Sequence, residues 1–155
     1  DYSGEKWGDF MLMGEFHHNI DEKGRIIIPS KLRDELGDKI IVTRGLDNCL
    51  FLYSEEQWKV IVSKLQTLPF TKKDARNFTR IFLSGATVCE FDKQGRIKLA
   101  PQLCSYASLD KECIVLGVND RLEIWAKDKW DSFFDVNKEV LSDLADHLFE
   151  SDFGD

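Results

Sequence analysis

No run of apolar residues approaches the roughly 20 positions that a membrane span requires, and no basic-then-apolar segment opens the chain. A non-exported protein without a membrane partner is therefore expected. Cysteine is sparse: Cys49, Cys89, Cys104 and Cys113 form no C-x-x-C pair and sit within or beside apolar stretches, as small buried hydrophobes do. The adjacent His17 and His18 would face opposite sides of an extended segment. No metal and no disulfide framework is indicated. Catalytic signatures are missing as well. There is no G-x-S-x-G elbow, no H-E-x-x-H, no P-loop and no G-x-G-x-x-G. No enzyme, cofactor or small-molecule substrate is expected, although carboxylates are plentiful and a hydrolase or nuclease on a related barrel stays open as a reading.

Positive charge is also lacking, but only locally. The net charge is −7. Residues 131–155 hold eight acids against Lys138, which alone amounts to −7. Residues 1–10 hold Asp1, Glu5 and Asp9 against Lys6. The stretch 11–130 is then mildly basic, at +2. A basic middle with an acidic tail is compatible with binding a polyanion through a local patch.

What the sequence does have is an internal duplication. Asp21-Glu22-Lys23-Gly24-Arg25 is echoed by Asp92-Lys93-Gln94-Gly95-Arg96, both of the form D-x-x-G-R and 71 positions apart. Ile26-Ile27-Ile28 follows the first and Ile97-Lys98-Leu99 the second, then Pro29 and Pro101. Gly45 to Tyr53 with Trp58 matches Gly117 to Trp125 with Trp130 at an offset of 72, so one inserted residue is expected near Ser108 and Leu109.

The pattern predicts a strand over 13–20, a tight turn at Gly24, and a β-branched strand over 26–28, together a β-hairpin. A two-turn helix then buries Leu32 and Leu36 and ends at Gly37. Strands over 39–43 and 49–53 flank a turn. Ser54 and Gln57 form a capping box that opens a helix over 55–66. A further helix over 72–83, with Ala75, Phe78, Ile81 and Phe82 on one face, has no counterpart in the second repeat by this reading and serves as a linker. The second repeat predicts strands at 87–91, 96–99, 113–116 and 122–125, helices at 101–107 and from 128, and a last helix over 136–149. Each repeat is β-turn-β-α-β-β-α, too small to stand alone; two pairing about a pseudo-twofold axis would close a small barrel. The expected divisions are a loose extension at 1–10, repeat 1 at 13–58, linker helices at 59–85, repeat 2 at 86–130, and an acidic helix and tail at 131–155.

At each turn Asp and Arg lie four apart across the tip. They can pair, and Asp21 and Asp92 can also accept turn amides. That makes a charge-paired structural turn one reading of the motif. The other starts from arginine, whose five donors allow it to pair with Asp and still face a phosphate or a guanine edge. Lys23 and Lys93 sit in the same tips. The bases of the 72–83 helix, Lys72, Lys73, Arg76 and Arg80, are a basic set that reads first as a solvated helix face.

Residues 11–25 with Ile28-Pro29-Ser30 closely resemble the start of MraZ proteins. So do residues 42–47, Leu68-Pro69-Phe70-Thr71-Lys72-Lys73-Asp74-Ala75-Arg76, Phe82-Leu83-Ser84-Gly85-Ala86 and Glu123-Ile124-Trp125. The resemblance implies an α+β fold: two tandem AbrB-type swapped-hairpin β-α-β repeats forming one pseudo-twofold barrel, with flanking helices. It implies a cytoplasmic, nucleoid-associated transcriptional regulator that binds double-stranded DNA. Such proteins form ring-shaped homo-oligomers, octamers or similar, on direct repeats upstream of their own cell-division and cell-wall gene cluster. It assigns DNA contact to Arg25 and Arg96, and by their place in the tips to Lys23 and Lys93. Asp21, Gly24, Asp92 and Gly95 hold the turns. By strict alignment Gln94 stands where the first repeat has Lys23, and Ala100-Pro101 where it has Pro29-Ser30. The tips are expected to be unequal, the first dominating. A structural or protein-interaction ring with incidental DNA binding is the alternative reading.

Overall fold

The computed structural model describes residues 12–153. The expected N-terminal extension, 1–10, lies outside the described residues. The first repeat runs β1 (Leu12–Asn19), β2 (Arg25–Ile27), α1 (Ser30–Leu36), β3 (Lys39–Arg44), β4 (Leu50–Ser54), α2 (Glu55–Gln66) and α3 (Lys73–Ser84). The second runs β5 (Thr87–Glu90), β6 (Arg96–Lys98), α4 (Pro101–Tyr106), β7 (Glu112–Asn119), β8 (Leu122–Ala126), α5 (Lys127–Asn137) and α6 (Leu141–Phe153). The order matches element for element, which corrects one expectation: α3 is not an unmatched linker, because α6 follows α5 as α3 follows α2. The expected single helix over 136–149 is divided by a 3-10 turn at Lys138–Val140.

The six-stranded sheet has the order β1-β7-β8-β4-β3-β5, and β2 and β6 form a separate two-stranded ribbon. Exchanging the two repeats reverses the sheet order onto itself. The pseudo-twofold axis therefore passes between β4 and β8, where Phe51 faces Glu123, and through the Ile26–Ile97 pair of the ribbon. β1 of the first repeat pairs with β7 of the second, and β5 of the second pairs with β3 of the first. The expected hairpin is thus closed only at its tip. Its strands part, β1 to one partner and β2 to another.

The apolar pattern explains that parting. Ile26, Ile28, Ile97 and Leu99 alternate with Ile27 and Lys98, the period of a strand with one buried face. Pairing β2 with β6 places all four buried residues in one cluster with Ile40, Val42, Leu50, Leu52, Val115 and Ile124 of the sheet and Leu32 and Leu103 of α1 and α4. Burying side chains of this size stabilises by roughly 1.5–3 kcal/mol each. The opposite sheet face holds a second cluster, where Phe51, Tyr53, Ile114 and Trp125 meet Phe82 of α3, with Trp58 of α2 and Trp130 of α5 packed against it. β4 is therefore buried on both faces. Ser54 caps α2 by accepting from Gln57 N–H (3.1 Å), as its sequence predicts.

The register refines the duplication. Ile40 faces Cys89 and Cys113 faces His18, so Ile40 and Cys113 hold equivalent places. The second repeat has two extra residues at 109–111 and one fewer between β7 and β8, rather than a single insertion. Where β1 crosses β7, Gly14 faces Gly117, and a Cβ on Gly117 would lie 2.4 Å from the Met13 backbone nitrogen. Two cysteines, Cys49 and Cys113, are buried as expected; Cys89 and Cys104 are half-buried, and all four are free thiols. Burial pushes the Cys113 thiol up to about 11. Among the described residues no helix is long and apolar enough to cross a membrane.

Candidate nucleic-acid interface

Both D-x-x-G-R turns fold alike because each Asp does three jobs. Asp21 Oδ1 accepts from the backbone N–H groups of Lys23 and Arg25 (both 2.9 Å), and its Oδ2 accepts from Arg25 Nε (2.8 Å). Asp92 does the same with Gln94 N–H, Arg96 N–H and Arg96 Nε, at the same distances. Gly24 and Gly95 supply the left-handed residue at φ 80° and 77°, a conformation that costs glycine little. The Arg25 amide, chief among these donors, holds the Asp21 carboxyl below the usual carboxylate range, and the Arg96 amide does so for Asp92. Both acids stay ionised at neutral pH. The charge-paired turn is therefore present at both sites.

That pairing uses only Nε. Among the described residues the terminal Nη groups of Arg25 and Arg96 have no protein partner, so each guanidinium is oriented by Asp and keeps donors to spare. Each turn is also braced against the ribbon strand of the other repeat. Leu99 N–H donates to Gly24 O (2.8 Å), and Ile28 N–H donates to Gly95 O (3.0 Å). The turns thus stand at opposite ends of the β2–β6 ribbon, about 13 Å apart at the usual rise per residue.

Sequence reasoning missed two members of this surface. Lys98 faces Arg25 across the ribbon, on the same exposed side as Arg96. Period-2 alternation from Arg96 would have found it. Arg33 of α1 donates through Nε to Ile28 O (2.9 Å), and its guanidinium lies over Gly95; a Cβ there would come within 2.6 Å of Arg33 Cζ. No sequence signal links Arg33 to the second turn, because the contact exists only once the ribbon pairs the repeats. Lys23, Lys93 and Lys98 are exposed and have no acidic partner among the described residues. Lys23 and Lys93 are not equivalent: Lys93 occupies the place of Glu22, and Gln94 that of Lys23.

The basic residues of α3 do not join this surface. α3 packs through Phe82 on the opposite sheet face, and Arg76 caps its own lead-in, donating to Phe70 O (3.0 Å) and Thr71 O (3.1 Å). Among the described residues, no cluster of His, Cys, Asp or Glu could hold a metal ion.

Duplicated halves that exchange strands and present paired basic turns on a shared ribbon define a two-repeat α+β protein of one particular kind. A family model described as "MraZ protein, putative antitoxin-like" matches residues 11–81 and again 82–152. A protein of Ligilactobacillus salivarius (strain UCC118) named "Transcriptional regulator MraZ" is 51% identical over 142 residues, covering 92% of this chain and 99% of its own length. The chain belongs to the MraZ family.

Proposed function

We propose that this chain is a sequence-specific, DNA-binding transcriptional regulator whose halves are AbrB-type swapped hairpins closing a barrel. One observation carries the reading: the ribbon sets Arg25, Arg96 and Lys98 on one exposed face between two rigid turns. The major groove, about 12 Å wide, admits a two-stranded ribbon. Arg Nη groups suit guanine O6 and N7, while Lys23, Lys93 and Lys98 suit phosphates. The charges around the turns reverse the expected ranking. Glu22 stands beside Lys23 in the first tip, whereas the second tip carries Lys93 in that place and gains Arg33. The second turn is therefore the stronger DNA contact.

The helical ends support self-assembly. Phe70 is 76% exposed beside the basic residues of α3, and Leu148 is 74% exposed among the acids of α6. Unlike ends of opposite charge favour head-to-tail contact, which closes into a ring when the rotation allows. A ring multiplies weak sites on one scaffold and suits direct repeats, here those upstream of the cell-division and cell-wall gene cluster, read in the cytoplasm on the nucleoid. DNA recovered with the protein from its own cells should contain such repeats, and excess unrelated DNA at moderate salt should not displace them. Complete displacement would instead leave a structural ring with incidental DNA binding.

A further inference from the structure

A cleft of about 870 Å³ opens beside the first turn. Its size falls within the range of small-molecule sites, roughly 300–1,000 Å³. The two repeats treat this place differently. At the second turn Arg33 lies over Gly95, and Gly95 is buried; at the first turn Gly24 is only half-buried. The α4 residue equivalent to Arg33 is Cys104: Arg33 N–H bonds Pro29 O, and Cys104 N–H bonds Ala100 O. A short thiol therefore stands where the other repeat has a guanidinium. The far wall is the loop at 109–111, the stretch in which the second repeat has two extra residues. Duplication alone would not create this space.

The lining is mixed. Leu99, Pro101 and Leu109 supply an apolar floor. Lys23, Lys98 and Lys111 line the cleft, and none of the three has an acidic partner among the described residues. Glu22 and Asp110 add two carboxylates, likewise outside those ion pairs, while Asp21 is engaged with Arg25. Three lysines suit a dianionic phosphate, the floor suits a flat ring, and the two carboxylates suit hydroxyl donors.

We propose that this cleft binds a nucleotide-sized organic phosphate. Because Lys23 and Lys98 also belong to the DNA-facing surface, the bound ligand competes with DNA at the first turn. That regulatory consequence rests on the DNA-binding reading; the binding itself does not.

The test titrates the full chain with adenosine monophosphate, without DNA, following backbone amides by NMR. Saturable shifts are expected at Leu99, Cys104 and Leu109, with a Kd of about 1 mM or tighter. Cys104→Phe, which fills the cleft without adding charge, should abolish them. Lys111→Ala, outside the DNA-facing set, should weaken binding about fivefold or more and leave DNA affinity unchanged. Adenosine monophosphate should also weaken DNA binding by the parent but not by Cys104→Phe. Shifts absent up to about 10 mM, shifts shared equally by Gly95 and Ile28, or unchanged affinity in both variants would overturn the site. Inorganic phosphate binding as tightly as the nucleotide would overturn the organic body. Retained nucleotide binding in a chain with no DNA affinity would count against the DNA reading alone.

Discussion

Each turn depends on one carboxylate that orients two amides and a guanidinium. Asp21→Ala should release all three donors and weaken DNA binding about tenfold or more, whereas Asp21→Asn keeps an amide acceptor and should lose less. Shift assays on both variants check this, and equal losses would contradict it. The sign of the pH effect follows from the lowered carboxyl groups. A depressed native pKa means that the turn is fully supported above the ordinary Asp value and is lost as pH falls through the native one. Amide resonances of Lys23 and Arg25 should hold steady down to about pH 4 and move only below it. Movement centred near pH 6 would place another group in control. A separate residue-level constraint lies at Gly117, where a side chain would meet β1 backbone at 2.4 Å. Gly117→Ala should cost about 1–3 kcal/mol, read as a lowered Tm; an unchanged Tm would mean that β1 shifts freely.

Most elements were legible in the sequence because their periods are clean. The buried alternation of Ile26, Ile28, Ile97 and Leu99, the capping box at Ser54 and the glycine-bent turns were all readable locally. Strand partners were not. Local pattern says that Ile26 is buried but not that it meets Ile97, so a turn between two strands read as an ordinary hairpin. The match of α3 to α6 was hidden for a related reason: one helix is basic and the other acidic, and only the element order exposes the equivalence. At the turns, the Asp and Arg of each D-x-x-G-R motif are legible in the duplication as a charge pair, whereas a DNA-contact role for the arginines comes from the family resemblance and not from spacing. Lys98 required the ribbon's face, and Arg33 required the fold itself.

At the scale of the molecule, strand exchange makes the two repeats one folding unit, since β1, β2, β5 and β6 all pair across repeats. Neither half keeps its sheet without the other. The helical ends carry exposed apolar side chains, Phe70 ahead of α3 and Leu148 on α6 among them. Leu148→Glu sets a charge in an exposed apolar stripe that already carries acids, and it should convert the proposed ring to smaller species in light scattering while leaving the fold intact by circular dichroism. An undiminished particle mass would place the contact elsewhere.

The most direct test of the central claim is a salt-titrated shift assay on repeat-containing DNA with Arg25→Ala, Arg96→Ala and the parent. Both variants should keep the parent's oligomeric mass. Each should lose sequence preference, with Arg96→Ala losing at least as much as Arg25→Ala, and the salt dependence of the parent should be steep because phosphate contacts dominate affinity. Binding by both variants with the parent's affinity and preference would contradict the account.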